Sequence, residues 1–466
     1  MSQELQTYSA APIKLGRPLG QASPFGFSNP KPQSSLIENS HTSITEYRGD
    51  SHLITVAPTG RGKGVSSIVP TLLDYPGSVI VFDPKGENYQ ITVRRRKEMG
   101  QRVIVLNPFN VLSDETDSLN PLDLLQLEGA DIESDAQMLA QMFAAGNRFN
   151  RDPFWDNSAC GVLSGLIAYF GSITDDSTRT VNAIHEQFHA DDVVYQLAVL
   201  LDNHKDEMPQ FAYHEIAAFL QHPEKETRPS VQSTVASYLK CLAGGKVPDV
   251  LKHSSFSLQD FVDGEPISIY IIIPPSKLVS HRSLLRLLIA TLLGAVLTRE
   301  NRPEHATLFL LDEAAQLGHF PLLEQAITLC RGYGLKVWSF WQDLSQLKEH
   351  YPETWKSILN NCDIKQLFGI SGMFMAQEWA SILEHDPREL LKLADNEHLL
   401  IFPDGTEEIQ QRLNYLCDPE YAGLFDENPR YSHTRRIRKR PEVRERKLPH
   451  PEPSEKEQDD DNKQSL

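Results

Sequence analysis

The sequence has few of the features that mark secreted, zinc-binding or broadly nucleic-acid-coating proteins. Its five cysteines among 466 residues are scattered, with no Cys-x-x-Cys pair and no Cys/His cluster. That pattern argues against a structural zinc site and for a reducing compartment. The formal net charge of −18 excludes a basic overall surface, so any contact with DNA or RNA has to be local.

Long apolar segments are also scarce. The first thirty residues contain no apolar core of a secretion signal. The two most apolar runs, ISIYIIIPP at 267–275 and SLLRLLIATLLGAVL at 283–297, are shorter than a bilayer requires, and Arg286 interrupts the second. We therefore expect no transmembrane segment in this sequence.

Short apolar segments instead predict a sheet. HLITV (52–56), GSVIVFD (77–83) and QRVIVLNP (101–108) are typical of buried strands, and residues 65–75 between the first two have helical spacing. Strands and helices that alternate in this way predict right-handed crossovers and a parallel sheet. Four further strand segments follow: ISIYIII (267–273), ATLFLLDE (306–313), KVWSFWQ (336–342) and IKQLFGI (364–370).

Between these two groups of strands, from about residue 130 to 260, apolar residues recur at helical spacing. The sequence therefore predicts an α/β fold with a mostly parallel sheet, interrupted by an all-α domain. The expected parts are an extended arm (1–50), a nucleotide-binding domain in two pieces (51–128 and 263–430), an all-α substrate or partner domain (129–262) and a disordered charged tail (431–466). Basic residues crowd 435–447 of that tail, which is either a solvated segment or a contact for DNA phosphates or anionic lipid.

The stretch APTGRGKGV at 57–65 lies between the first strand and its helix. It departs from the phosphate-binding pattern G-x-x-x-x-G-K-[ST] at both ends, with Ala57 for the first glycine and Gly64 for the final hydroxyl residue. A tight turn would explain the glycines alone, but backbone N–H groups at the start of a helix attract phosphate. We expect Lys63 to face solvent in the empty site and to reach the β- and γ-phosphates of ATP. The predicted nucleotide-binding residues are Thr59, Gly60, Arg61, Gly62, Lys63, Gly64 and Val65.

Two carboxylates follow the apolar strand in LFLLDEAAQ (308–316). In a parallel sheet the carboxyl ends of the strands face the ligand crevice. Because Gly64 lacks the hydroxyl that normally holds Mg²⁺, we expect Asp312 to bind the ion through its water shell. We expect Glu313 to act as the general base that polarises the attacking water.

Polar residues near other strand ends complete the predicted site. Gln342 follows the next strand and is placed to touch the γ-phosphate or the attacking water. Arg331 precedes that strand, and an arginine there could point out of the subunit and stabilise the transferring phosphoryl group in a neighbour's site. Asp83, Lys85 and Glu87 either line the same crevice or form a charged turn, and the residues alone do not decide between the two.

Together these motifs resemble the TraG/TraD-type coupling proteins of type IV secretion, the ATPases of conjugative DNA transfer. APTGRGKGV followed by SVIVFDPKGE is similar to the first two motifs of that family, including the glycine after the lysine. LLDEAAQLG and WQDLSQL are similar to its later ATPase motifs, and Arg331 falls where relatives place an arginine finger. FNVL, SLNPLDLL and PFWDNSACGVLSGLIAYF add to the likeness, which covers roughly residues 50–420.

The resemblance implies a RecA-like P-loop domain that carries an all-α domain and assembles as a hexamer. It also implies Mg²⁺-dependent ATP hydrolysis that drives DNA with its relaxase, or effector proteins, to the channel proteins of a secretion system. Most relatives begin with transmembrane helices, whereas we expect none in this sequence. We therefore expect a cytoplasmic protein that either docks at the inner membrane through partners or is a shortened or soluble variant. Two alternatives remain at this point, a substrate adaptor without significant hydrolysis and a DNA translocase of the FtsK/HerA branch. FDPKGE and the Lys-Gly loop favour the coupling proteins.

Overall fold

The computed structural model describes residues 11–19, 44–144 and 153–430. All of these except Arg430 belong to one compact unit that ends at Pro429. The predicted tail at 431–466, with its basic run, and most of the predicted arm at 1–50 lie outside the described residues.

Eleven strands within the described residues form one sheet. In chain order they are β1 (Ile13–Pro18), β2 (Thr45–Tyr47), β3 (His52–Val56), β4 (Val79–Phe82), β5 (Arg102–Leu106), β6 (Ile267–Ile271), β7 (Thr307–Leu311), β8 (Leu335–Trp341), β9 (Cys362–Leu367), β10 (Glu397–Ile401) and β11 (Glu407–Arg412). The seven segments whose apolar pattern predicts strands are β3 to β9.

The parallel part of the sheet contains these same seven strands. Across the sheet the order is β2-β1-β11-β10-β9-β3-β8-β7-β4-β6-β5, and the strands from β9 to β5 all run parallel. The strands that follow β3 in the chain, β4 to β8, all lie on one side of β3, and β9 pairs with its other side. Such a reversal opens a crevice at the carboxyl ends of the strands. The α/β prediction with a mostly parallel sheet is confirmed.

Four antiparallel strands extend the sheet beyond β9. Two of them, β1 and β2, lie in the segment expected to be an extended arm, so in its described part that expectation is corrected. β1 pairs with β11 and β2, and it buries Ile13 and Leu15 on one face. The pattern missed these strands because they are short or polar. The sequence of β11, EEIQQR, has a single apolar residue.

The described residues contain sixteen α-helices. They are α1 (Val69–Asp74), α2 (Glu87–Glu98), α3 (Ile132–Ala144), α4 (Pro153–Ser172), α5 (Val181–Phe188), α6 (Val193–His204), α7 (Gln210–Gln221), α8 (Thr227–Leu239), α9 (Val247–Val250), α10 (Leu258–Asp263), α11 (Pro275–Leu297), α12 (Pro321–Leu329), α13 (Leu344–His350), α14 (Trp355–Asn360), α15 (Met373–Leu383) and α16 (Pro387–Leu390).

Helices α3 to α10 form the helical insertion between β5 and β6. Side-chain oxygens of Thr180 and Asp192 accept N–H groups in the first turns of α5 and α6, which explains where those helices begin. Buried residues of α4, such as Leu163, belong to the same hydrophobic cluster as Ile80 and Phe309 of the sheet. The insertion therefore packs on the sheet through one continuous apolar core.

Helix α11 is longer than its apolar run predicts, because it begins at Pro275 and ends at Leu297. Among the described residues it is the one helix long and apolar enough to cross a membrane, but most of it is buried within the protein. Arg286 is buried on this helix and donates Nε–H to the Leu317 carbonyl at 2.6 Å. The length and apolar character of α11 are therefore those of a core helix.

The outer edge of β5 is covered by the loop that follows it. The Val105 N–H donates to the carboxylate of Asp117 at 2.8 Å, and the Asp117 N–H donates back to the Val105 carbonyl. Farther along, the Asn107 N–H donates to the hydroxyl of Thr116 at 2.9 Å. These bonds satisfy backbone groups that an edge strand otherwise presents to other chains.

Candidate nucleotide-binding site

The glycine-rich loop follows β3 at the carboxyl edge of the parallel strands. Gly60 and Gly62 have φ angles of 77° and 89°, in the left-handed region that favours glycine. Gly64–Ile68 forms one π-helical turn that leads into α1. Backbone N–H groups of a glycine-rich loop and of the start of a helix attract phosphate. Of the predicted loop residues, Thr59 and Gly60 are exposed, Arg61, Gly62, Gly64 and Val65 are half-buried and Lys63 is buried.

Lys63 is the strongest anion-binding group of this edge. Its side chain is only 9% exposed, so the expectation that it faces solvent is wrong. Its Nζ lies 3.8 Å from Oε2 of Glu313, whose charge attracts it into the crevice. Within the described residues, this Nζ makes no hydrogen bond. A buried ammonium without acceptors is costly, and phosphate oxygens would supply them.

Asp312 and Glu313 follow β7, where the sequence places them. Burial raises the pKa of Asp312 to about 6, while the charge of Lys63 lowers it and that of Glu313 raises it. The side chain of Asn88 also hydrogen-bonds Asp312 and favours its ionised form. Glu313 has a φ of 92°, a conformation that is strained for a residue with a Cβ. This backbone aims two adjacent carboxylates at one lysine.

Gln342 follows β8 and contacts Glu313 directly. Its Nε2 donates to Oε1 of Glu313 at 3.0 Å. Its own backbone N–H donates to the side chain of Gln346 at 2.9 Å, and Asp343 caps the helix that carries Gln346. The structure thus brings Gln342 to the predicted crevice, where it orients the carboxylate.

Asp83 lies at the same edge. Lys85 follows it on the turn, and Glu87 is the first residue of α2. Asp83 is buried and accepts the N–H of Tyr89 at 2.9 Å in the first turn of α2. Its pKa is raised to about 7, mainly by burial and also by the charges of Asp312 and Glu87, against the lowering effect of the Tyr89 hydrogen bond. Lys85 is exposed on the turn. The segment is therefore both a helix-starting turn and, through Asp83, part of the acidic crevice.

Arg412, at the end of β11, is a contact of the loop that the sequence did not predict. Its guanidinium donates to the Arg61 carbonyl at 2.5 Å and to the Asp395 carbonyl, and it lies 4.5 Å from the ring centroid of Phe368. A Cβ added to Gly62 would lie 3.3 Å from it. Arg412 therefore fixes the backbone of the glycine-rich loop from the antiparallel side.

Arg331 lies at the opposite edge. It begins a short 3₁₀ turn, Arg331–Tyr333, that leads into the start of β8, whereas Gln342 follows the end of that strand. Seven strand residues at about 3.3 Å each separate the two positions by roughly 20 Å. Its side chain is exposed and, among the described residues, makes no hydrogen bond or ion pair. Arg331 is therefore not part of the crevice of its own chain.

The donor set at this edge fits Mg²⁺ only together with a nucleotide. No group of three or more His, Cys, Asp or Glu side chains is arranged to hold a metal ion in the described part of the chain. Mg²⁺ usually keeps several waters and binds one or two carboxylates with substrate phosphates, which Asp312 can satisfy. A side chain at Gly64 would meet nothing within 4 Å, so the fold itself leaves room for the missing hydroxyl.

The parallel sheet, the glycine-rich loop with its buried lysine and the acid pair on a nearby strand define a P-loop nucleotide-binding protein of the α/β class. The chain belongs to the family described as Type IV secretory system Conjugative DNA transfer, whose sequence model matches residues 31–375. The resemblance to coupling proteins is thereby confirmed.

Individual relatives agree with this assignment. The chain is 28% identical over 341 residues to the conjugal transfer protein TraG of Escherichia coli, covering 69% of this chain and 53% of that protein. It is 27% identical over 342 residues to the type IV secretion system-coupling protein VirD4 of Bartonella quintana, covering 71% and 52%. The chain thus spans about half the length of these relatives.

A solved structure has the same fold. The plasmid coupling protein TrwB in complex with ADP and Mg²⁺ aligns with a TM-score of 0.58, covering 81% of this chain and 88% of that chain. At 16% sequence identity, the similarity concerns the fold. Together with the strand order, it confirms the RecA-like P-loop class.

Proposed function

We propose that this chain is the motor part of a type IV secretion coupling ATPase, which hydrolyses ATP to drive DNA–protein or protein substrates toward a secretion channel. The observation that carries the proposal is the buried ammonium of Lys63. It lacks a hydrogen-bond acceptor within the described residues and faces Glu313 beside Asp312. That arrangement fits a triphosphate whose charge the lysine neutralises.

Each residue of the crevice has a role in this proposal. The backbone around Gly60 and Gly62 and the ammonium of Lys63 hold the phosphates. Asp312 would hold Mg²⁺ together with a bound nucleotide, and the ion would supply neutralisation of the phosphate charge. Glu313 accepts a proton from the attacking water, and Gln342 keeps that carboxylate in position through its 3.0 Å hydrogen bond. Thr59, Arg61, Gly64 and Val65 complete the wall of the binding loop.

Arg331 acts in a neighbouring subunit in this proposal. Its distance from the crevice of its own chain excludes a role there, and the residue is exposed. Two apolar residues beside it, Leu329 and Tyr333, are 75% and 40% exposed, as expected for a contact between copies of the chain. We propose a homo-hexamer in which each Arg331 enters the next subunit's crevice.

The names of the relatives suggest the partners. TraG is named for conjugal transfer and VirD4 for coupling to type IV secretion. We propose that this chain likewise works with DNA, with a relaxase or effector protein and with secretion channel proteins. We place it in the cytoplasm, where ATP is available, with contact to the inner membrane through those partners.

ATP turnover by the purified chain tests the proposal. We expect Mg²⁺-dependent hydrolysis in the parent, loss of both nucleotide binding and hydrolysis in Lys63→Ala, and parental behaviour in Lys97→Ala, which changes an exposed lysine on α2. Fluorescent ADP binding and phosphate release would be measured on the same samples. Parental hydrolysis by Lys63→Ala would refute the phosphate-binding role.

The same assay separates the remaining alternatives. Nucleotide binding without turnover in the parent would favour a substrate adaptor over a motor. Turnover that needs only double-stranded DNA, with no response to relaxase or effector proteins, would favour a translocase of the FtsK/HerA branch.

A further inference from the structure

The loop that carries Arg331 is held by a second arginine. The guanidinium of Arg302 donates to the Arg331 carbonyl at 2.8 Å and to the Gly332 carbonyl at 2.6 Å. Its third contact is an ion pair with Asp50, at 3.2 Å between Nη1 and Oδ2. A single planar fork therefore joins two consecutive carbonyls of this loop to a carboxylate just before β3.

The far end of the loop is also fixed. The Thr307 N–H donates to the Gly334 carbonyl at 2.8 Å, and Arg299 approaches the same carbonyl at 3.5 Å. Gly334 has a φ of 68°, and a Cβ there would lie 2.8 Å from the ring of Pro303. The backbone is thus held at both ends, while the side chain of Arg331 stays exposed.

A buried lysine lies near the Arg331 loop. Lys336 is buried at the start of β8, where its ammonium donates to the Gly49 carbonyl at 2.8 Å. Burial lowers the pKa of Lys336 to about 8, the charges of Asp50 and Asp363 raise it, and the charge of Arg331 lowers it. The loop backbone is therefore held beside a buried cation, and the side chain of Arg331 is exposed.

We propose that Arg302, held by Asp50, is a positioning residue that directs Arg331 into the neighbouring subunit's site, which rests on the proposed role of Arg331. The fork sets the orientation of the loop backbone and makes no contact with nucleotide. Asp50 lies two residues before β3, the strand that leads to the loop with Lys63. In this proposal, the Arg331 loop of each subunit is therefore connected to the start of that subunit's own P-loop strand.

Steady-state kinetics of two Arg302 variants test this role. We expect Arg302→Ala to lower kcat by about 10- to 100-fold, because small misplacement of a transition-state group is costly, while KM for ATP stays at the parental value. Arg302→Lys keeps the charge but cannot form the fork, so we expect an intermediate kcat. The matched control is Arg102→Ala, which removes an arginine bound to the Ser255 carbonyl on an edge strand.

Mixed assemblies provide a readout that a merely structural role would not change. Arg302→Ala subunits keep an intact crevice, and Lys63→Ala subunits keep an intact Arg331 loop. Co-expressed with two different tags and purified through both, the mixture should hydrolyse ATP faster than either variant alone. Every intact crevice that lies next to a Lys63→Ala subunit would then receive a correctly directed Arg331.

Arg331→Ala, measured in parallel, separates failure of this inference from failure of the proposed function. If Arg331→Ala keeps parental kcat, the role of Arg331 is refuted and the positioning role with it. If Arg331→Ala is impaired but both Arg302 variants keep parental kcat, the positioning role alone is overturned. Impaired Arg302 variants with no gain in the mixed assemblies, or with KM raised as much as kcat is lowered, would likewise overturn it.

Discussion

The two edges of the parallel sheet differ in both charge and exposure. At the carboxyl edge, acidic side chains surround the single buried ammonium of Lys63. At the amino edge lie Arg302 and Lys336, each held by the chain, and Arg331, which is exposed and makes no hydrogen bond or ion pair among the described residues. The carboxyl edge therefore has an acidic crevice around Lys63, whereas the amino edge has the exposed cation of Arg331. The difference suggests that the site is completed only when two copies of the chain meet.

The largest expected effect comes from removing the exposed cation. Arg331→Ala should lower kcat by roughly 10³- to 10⁵-fold, the range known for arginine fingers in phosphoryl transfer. Nucleotide affinity should change less, because Arg331 is proposed to stabilise charge that develops during phosphoryl transfer rather than to hold the bound nucleotide. Phosphate release and fluorescent ADP binding would measure the two quantities. Arg388→Ala, which changes an exposed arginine on α16, is the control.

A smaller effect should follow from neutralising the base at the acidic edge. Glu313→Gln removes the proton acceptor but keeps the shape of the side chain, so turnover should fall about 10²- to 10⁴-fold. Nucleotide should stay bound, which filter binding with radiolabelled ATP would detect. Glu353→Gln, at an exposed position, should behave as the parent. Undiminished turnover in Glu313→Gln would assign the base to another residue.

Arg412→Ala tests the contact between the antiparallel strands and the glycine-rich loop at the acidic edge. It removes a charge-assisted hydrogen bond to the Arg61 carbonyl and loosens the phosphate loop. We expect KM for ATP to rise about tenfold, in keeping with the free energy of such bonds, and kcat to change less. Arg388→Ala, an exposed arginine on α16, is the control. A change in kcat without a change in KM would contradict the loop-holding role.

The smallest effect concerns stability and pH. Asp83 has a pKa raised to about 7 by burial, so the folded chain holds this proton more tightly than the unfolded chain, whose carboxyls have their ordinary pKa. The stability contributed by the protonated carboxyl is therefore lost as pH rises from about 4 to 7. Asp83→Asn should raise the melting temperature by a few degrees at pH 8 and by less at pH 5.5.

Differential scanning fluorimetry at the two pH values would measure this difference. Asp202→Asn, which changes an exposed carboxylate on α6, should leave both melting temperatures unchanged. An equal rise of the Asp83→Asn variant at both pH values would contradict the raised pKa.

The sequence predicted the parallel strands well because each is a compact apolar run that ends in turn residues. The strands β1, β2 and β11 escaped prediction because they are short or polar, and the sequence does not show which strands pair. β1 pairs with β11, so residues near 16 lie opposite residues near 411. Neither strand has enough apolar alternation to reveal that pairing in the sequence alone.

The site likewise contains residues that the sequence predicts and residues that it does not. Lys63, Asp312, Glu313 and Gln342 were predicted together because each follows a strand whose carboxyl end faces one crevice. Arg412 was not, since its contact with Arg61 joins residues 351 positions apart through the register of a polar strand. The burial of Lys63 also escaped prediction, because it depends on the position of Glu313 across the crevice.

The covered edge of β5 has a consequence for assembly. The loop bonds at Val105 and Asn107 occupy backbone groups through which a strand of a second molecule could otherwise join the sheet. Sheet-to-sheet fusion, the common first step of aggregation and of strand exchange, is therefore blocked on that side. Any contact between copies of this chain at this edge would therefore be made by side chains. Such a contact can form and break without the unfolding of either copy.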